Sequence, residues 1–266
     1  MIKISVVTIT YNAADVLQRT LDSVLHQTYQ YIEHLIVDGA STDDTVEMAK
    51  EYKEESDEVA ASHDVVIASE ADKGLYDAMN KGLRRATGDY ILFLNAGDFL
   101  PSSATIETVV DAAKRHCAAN GELPAVLYGD TDIVDYKGNF LHHREHRPPK
   151  KLGWRSFQQG MLVCHQAFYA RLDIAQTMPY DLKYRFSADV DWCIRVMREA
   201  ERRQLALVDV GVVVANYTKE GQTTTHHKES LKERYDVMCS HYGSVSTFIM
   251  HCWFAVRAIL RKCGVS

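Results

Sequence analysis

No Cys-x-x-Cys pair and no His/Cys spacing of the zinc kind occurs in this 266-residue chain, whose six cysteines (117, 164, 193, 239, 252 and 263) are scattered. That pattern excludes a structural zinc site and implies reduced thiols. No stretch reaches the roughly 18 apolar residues of a spanning helix. The opening run "MIKISVVTIT" has one Lys before a segment too short and too polar for a signal peptide, so a cytoplasmic setting is expected. Basic excess is missing as well: 30 Lys and Arg against 36 Asp and Glu give a net charge of -6. With a pI near 6.0, nucleic acid is not an expected partner, because duplex binding rests on clustered Lys and Arg. Neither G-x-G-x-x-G nor G-x-x-x-x-G-K-[ST] follows any apolar run, which excludes a dinucleotide fingerprint and a P-loop. Internal repeats and low-complexity tracts are also missing. What is present is ordinary globular material, 46% hydrophobic and 25% charged, enough for a large core.

From residue 3 to about 135, strand-like apolar runs alternate with helix-like segments: "KISVVTI", 13 to 27, "HLIVDG", 43 to 55, "DVVIAS", 75 to 87, "YILFLN", 102 to 119 and "AVLYGD". Continuous apolar strands in this alternation predict a mostly parallel sheet covered on both faces. Ligands of such sheets bind beyond the carboxyl ends of the strands. Polar residues stand there: Thr8, Thr10, Tyr11 and Asn12; Asp38, Gly39, Ser41 and Asp43; Glu70, Asp72 and Lys73; Asn95 and Asp98. Residues 136 to 160 are basic and turn-rich, with Pro148 and Pro149, and read as a loop or strand-loop excursion. A short apolar run "MLVCHQAFYA", a helix near 187 to 203, a strand "ALVDVGVVVAN" and a helix near 226 to 242 follow. From 245 to 262, Val245, Phe248, Ile249, Cys252, Trp253, Val256, Ile259 and Leu260 form an apolar helical stripe. Arg257, Arg261 and Lys262 end it and complement the helix dipole.

Four pieces, "SVVTITYNAADVLQRTLDSVLHQTY", "HLIVDGASTDDT", "EADKGLYDAMNKGLRRATGDYILFLNAGD" and "FSADVDWCIRV", resemble glycosyltransferase family 2 in their order and spacing. The resemblance covers residues 3 to about 200. It implies an α/β fold of the GT-A type, a mostly parallel Rossmann-like sheet flanked by helices, with a C-terminal helical extension. The division it suggests is a transferase domain over 1–220, with a nucleotide-sugar half to 130 and an acceptor half from 131, followed by the extension 221–266. By the same resemblance, Thr8 and Tyr11 line the nucleoside pocket, with Tyr11 stacking on the base, and Asp38 accepts a hydrogen bond from a base ring nitrogen. A carboxylate, which only accepts, suits that work; as a turn, Asp38-Gly39 needs no function, and Asp43 reads as a helix N-cap. Asn12, Asp72 and Asn80 join the nucleotide-binding set. Lys73 stands where the family often has a basic residue near the diphosphate, before Gly74 and a helix start that favours an anion. A solvated lysine is the alternative.

The family holds a divalent cation, Mn2+ or Mg2+, on an Asp-x-Asp cluster at the tip of the fourth strand. Here "NAGD" puts Asn95 and Gly97 at the first two positions and keeps one carboxylate, Asp98. Asp98, with Asn95, is the expected metal contact, and the cation is expected to arrive with the donor. A plain turn is the alternative. In "FSADVDWCIRV" the family's Glu-Asp-x-Asp pattern has Ala188 for the Glu, and Asp189 matches the expected catalytic base. Asp191 caps the helix or holds Arg195 at i, i+4. Asp130, His165 and Asp191 are candidate acceptor contacts. His226 and His227 read either as groups on a closing segment or as an exposed pair after the N-cap Thr225.

The implied activity is metal-dependent, inverting transfer of a hexosyl or N-acetylhexosaminyl group, from a UDP-sugar by preference. The acceptor is a saccharide or lipid-linked hydroxyl in cell-surface polysaccharide synthesis. A sugar nucleotidyltransferase would want a Gly-rich N-terminal loop, which "TITYNAAD" lacks. A non-catalytic nucleotide-binding module on the same fold is the remaining alternative. The C-terminal helix, with Phe248, Trp253 and Phe254 beside basic residues, suits either an anionic membrane surface on the inner face or a core or homodimer contact.

Overall fold

The computed structural model describes residues 1–58, 63–219 and 227–262. Four parallel strands carry the first half: β1 (Ile4–Thr10), β2 (Ile32–Asp38), β3 (Asp64–Ser69) and β4 (Tyr90–Phe93). The helices α1 (Ala14–Leu25), α2 (Thr45–Glu58), α3 (Leu75–Arg85) and α4 (Thr105–Asn120) cover them. The eight-stranded sheet runs β3-β2-β1-β4-β7-β5-β6, with β8 (Leu207–Thr218) parallel to β5 (Val126–Val134). β6 (Phe140–His143) and β7 (Phe168–Arg171) are antiparallel to their neighbours. The sheet is therefore mixed and mostly parallel, as the run of apolar strands predicts. Every residue of β1, β2 and β4 is buried, which is what a strand covered on both faces requires.

After β7 come α5 (Leu172–Ala175), α6 (Ala188–Arg202), α7 (His227–Tyr242) and α8 (Ser244–Lys262). Beneath the strand tips the core is aromatic. Trp192 stacks on Tyr180 at 5.0 Å, Tyr180 stacks on Tyr76 at 5.5 Å, and Phe93 meets Trp192 edge-on at 5.7 Å. This block joins α3, β4 and α6 in one rigid unit, with edge-to-face and offset contacts that favour a single arrangement.

Three local readings are corrected. β4 stops at Phe93, two residues before the apolar run ends; Leu94 and Ala96 still donate to Val7 and Ile9 of β1, and Gly97 then takes φ +95. His165 precedes a strand instead of following one, because a 3-10 turn (His165–Ala167) interrupts the apolar run before β7. Asp130 lies inside β5, at a register shift against β8, and not at the strand's end.

Candidate active site

Parallel pairing aligns Thr10 with Asp38 and Asp38 with Ser69 across three strand tips. The consequence is a carboxylate with no spare acceptor. Asp38 Oδ1 accepts from the hydroxyls of Thr10 at 3.0 Å and Ser41, and Oδ2 from the Ser69 hydroxyl at 2.7 Å and the Ser41 amide at 2.9 Å. Burial pushes its carboxyl up, but the Ser41, Ser69 and Thr10 hydrogen bonds outweigh that and hold it below its usual range. Asp38, the expected base-reading carboxylate, therefore ties the strand tips together in this structure. Thr8 is likewise inside: its hydroxyl bonds His34 Nε2 at 2.9 Å, and Nδ1 of that ring bonds the Tyr52 hydroxyl at 2.7 Å.

What faces outward is a smaller set. Tyr11 is 66% exposed. A Cβ on Gly39 would lie 3.3 Å from the Tyr11 ring and 2.5 Å from Asp72 Oδ2, so ring, bare backbone and carboxylate form one wall. Asn12, at φ +45, accepts from the Thr42 amide through Oδ1 at 2.9 Å and stitches this wall to the β2–α2 loop. Asp43, expected as the helix N-cap, stands one residue before the cap position and accepts from the Thr45 amide that opens α2 and from the Ala14 amide that opens α1, each at 3.1 Å. Lys73 is exposed at the start of α3, and its ammonium has no partner among the described residues. Asn80 is one step behind: its amide clamps both backbone groups of Tyr180, at 3.0 and 2.7 Å, and is spent there.

At the β4 tip, Asp98 is turned inward. It is 4% exposed, accepting from Gln166 Nε2 at 2.8 Å and from the Thr218 amide at 2.9 Å. Burial pushes its carboxyl up to about 6, the Thr218 and Gln166 hydrogen bonds opposing. The turn is fixed further by Thr20, which accepts from the Gly97 amide and donates to the Asp98 carbonyl, and by Thr218, whose hydroxyl donates to the Gly97 carbonyl. Asn95 donates Nδ2 to His165 Nε2 at 3.1 Å, and its Oδ1 is buried without a partner. One neutral oxygen and an inward carboxylate do not make a preformed site for a hard dication, which wants several charged oxygens. Among the described residues no cluster of three or more His, Cys, Asp or Glu side chains supplies one. Asp98, the expected metal contact, has its carboxylate engaged by Gln166 and Thr218 in this structure.

The start of α6 meets this tip. Asp189, its side chain 15% exposed, accepts from His165 Nδ1 at 3.1 Å and from the Tyr76 hydroxyl at 3.1 Å. Asn95 Nδ2 on Nε2 and the acceptor-only Asp189 on Nδ1 match a ring that donates from Nδ1. Burial pushes the Asp189 carboxyl up, but His165, the Arg234 guanidinium and the Val190 amide outweigh it and hold it below its usual range. Asp191 points elsewhere. It is 5% exposed and bridges His241 at 2.8 Å and Arg195, its i, i+4 partner, at 2.7 Å in the α6–α7 packing. Asp130, 35 residues of chain before His165 and pushed up by burial, has no bond to this chain of side chains.

Several members carry no sequence signal. Tyr76 and Thr218 reach the site only through the packing of α3 and β8. Glu233 of α7 accepts from the amides of Arg185, Phe186 and Ser187 at 2.7, 2.6 and 2.6 Å, holding the entry to α6. Arg234 follows it. Thr225 and His226 lie outside the described residues, as does the side chain of His227.

Set beside known proteins, residues 5–175 match the family model described as Glycosyl transferase family 2. A PGL/p-HBAD biosynthesis glycosyltransferase of Mycobacterium tuberculosis is 34% identical over 233 residues, 86% of this chain and 82% of the relative. Staphylococcus aureus TarS 1-349 in complex with UDP-GlcNAc superposes with TM-score 0.69 at 15% identity, covering 93% of this chain and 70% of that one. Mycobacterium tuberculosis glucosyl-3-phosphoglycerate synthase, in complex with Mn2+, UDP and glucosyl-3-phosphoglycerate, gives TM-score 0.58 at 17% identity, covering 90% and 79%. At these identities the solved structures speak for the fold, which is of the GT-A type.

Proposed function

The chain belongs to glycosyltransferase family 2, and from that premise we propose that it transfers a sugar from a nucleoside-diphosphate donor to an acceptor hydroxyl by a single, inverting displacement. The observation that supports this most is the meeting of two constellations on one sheet edge. Tyr11, Gly39, Asp72 and Lys73 form an open wall suited to a nucleoside and its diphosphate. Beyond it stands Asp189, held by Tyr76 and His165. Asp189 takes the acceptor proton, the acceptor oxygen bonds the anomeric carbon, and the pair of the breaking C–O bond leaves on the diphosphate. A positioned base of this kind is worth about 10²–10⁴-fold.

The UDP and UDP-GlcNAc complexes of TarS support a uridine donor, of hexosyl or N-acetylhexosaminyl type. Manganese in two solved neighbours supports a cation arriving with the donor; it would meet one protein oxygen at the strand tip, Asn95 Oδ1, and no step above depends on it. A lipid-linked saccharide of the cell surface is the acceptor we favour. The exposed stripe of Val245, Phe248, Ile249, Trp253 and Val256 on α8 supports peripheral membrane contact on the inner face, although no described helix is long and apolar enough to cross a membrane.

The test is release of nucleoside diphosphate from a panel of nucleotide sugars in the presence of lipid extract as acceptor source. Turnover of one donor is expected. Binding of a donor with no release from any would instead leave a nucleotide-binding module.

A further inference from the structure

Tyr76 belongs to the donor side of the molecule and touches the proposed base. It stands on the first turn of α3, just after Lys73 and Gly74, and is 7% exposed. Its hydroxyl crosses 113 residues of chain to donate to Asp189 Oδ1 at 3.1 Å, and the Asp189 amide faces the phenol oxygen in return. That amide is among those at the start of α6 for which no helical carbonyl is available. Burial, with the Asp189 charge beside it, pushes the phenol well above its ordinary range, so Tyr76 stays protonated and acts as a donor. Other charged groups meet this pair as well. His165 donates to Asp189 Oδ2 at 3.1 Å from the turn before β7, and Glu233 and Arg234 act from α7.

The contact is braced on both sides. The Tyr76 ring stacks on Tyr180 at 5.5 Å, and Tyr180 stacks on Trp192 of α6 at 5.0 Å. Asn80, one turn further along α3, clamps both backbone groups of Tyr180 at 3.0 and 2.7 Å. Thus α3 holds α6 at Asp189 directly and at Trp192 through Tyr180. A phenylalanine at 76 would keep the ring stack, whereas only the hydroxyl reaches the carboxylate. A buried hydroxyl costs stability unless it is hydrogen-bonded, and this one is spent on the group that the transfer needs. We propose that Tyr76 is a positioning residue: through its hydroxyl, the helix whose start opens the donor wall fixes where the Asp189 carboxylate stands relative to a bound donor. The inference rests on the transferase reading. A reacting group misplaced by about 1 Å can cost about 10²-fold in rate, which is the loss that a fixed carboxylate avoids.

The experiment compares the full chain as wild type, Tyr76→Phe and Tyr76→Leu. It uses the nucleotide sugar that turns over in the donor panel, with lipid extract as acceptor source, and runs UDP calorimetry and thermal melts alongside. In Tyr76→Phe the stack remains, so melting temperature and UDP affinity stay near wild type while kcat falls by about 10- to 100-fold, as the loss of a hydrogen bond to a charged group predicts. Asp189 also loses a donor to its charged form, so the acid limb of kcat/KM moves to higher pH. Tyr76→Leu removes ring and hydroxyl together and adds a lower melting temperature. A lower melting temperature and weaker UDP binding in Tyr76→Phe, with the acid limb unmoved, would mean a structural role and overturn the assignment. So would a kcat equal to wild type. Wild type that turns over no donor in the panel would remove the transferase reading itself, and the assignment with it.

Discussion

Asp189 and Asp98 are both acidic, both near the same strand tip, and shifted in opposite directions. Asp189 is kept ionised by His165 and by Arg234 in spite of burial, whereas burial pushes Asp98 up to about 6. Two predictions follow from the sign of each shift. Replacing His165 by Asn removes a donor to the Asp189 carboxylate, so its pKa rises and the acid limb of kcat/KM moves to higher pH; a pH–rate profile checks this, and an unmoved limb counts against the pair. Asp98 binds a proton more tightly folded than unfolded. Its contribution is therefore favourable below the ordinary carboxyl value of 3.8 and is lost as pH rises toward about 6, at most about 3 kcal/mol by linkage. Asp98→Asn has no charge to bury, so urea midpoints at pH 4 and 7 should differ less in the variant than in wild type. Equal differences would show that Asp98 does not titrate as the burial implies. At Gly39, an alanine would press on Asp72 Oδ2 from 2.5 Å, displacing a flexible carboxylate. Donor affinity should fall by about 10-fold with the fold intact, since about 1.4 kcal/mol is tenfold, as read by calorimetry and circular dichroism.

Among elements, α7 matters more than its place in the chain suggests. Glu233 supplies an anion to three amides at the entry to α6, where a helix start favours negative charge. Glu233→Gln should cost about 1–3 kcal/mol of stability and lower kcat with little change in donor KM, because the α6 entry holds Asp189; thermal melts and a kcat against KM comparison check both. Much of the fold was legible, since β1, β2, β3 and the helices between them follow directly from continuous apolar runs and amphipathic periodicity. The polar strand tips were legible as a location, whereas the partners of the side chains there were not. Thr8 and Asp38 look like pocket residues in sequence, but strand register turns one into the core and saturates the other with Thr10, Ser41 and Ser69. Tyr76, Thr218, Glu233 and Arg234 have no local signature, because their positions arise from packing between segments more than a hundred residues apart in some pairs, such as Thr218 with Asp98.

At the scale of the whole molecule, the proposed base stands where late segments of the chain return to the first strands. β1 to β4 carry the proposed donor wall at their tips, and the turn before β7 and the start of α6 bring His165 and Asp189 together beside Asn95 and Tyr76. The aromatic stack of Tyr76, Tyr180 and Trp192 makes that junction stiff, as a site that must hold a sugar in line for displacement requires. At the far end, α8 exposes Phe248 at 61% and Trp253 at 51% on a segment without Asp or Glu. Phe248→Ser with Trp253→Ser should abolish sedimentation with vesicles containing anionic lipid while leaving UDP binding unchanged; retained sedimentation would assign that stripe to protein contact. The central claim is that Asp189 is the proton acceptor of glycosyl transfer, and it is tested most directly by comparing wild type with Asp189→Asn. The quantities to measure are turnover of the donor identified by the panel and, in parallel, donor affinity. A fall in turnover of about 10²–10⁴-fold with donor affinity nearly unchanged is the predicted result, and turnover equal to wild type would contradict it.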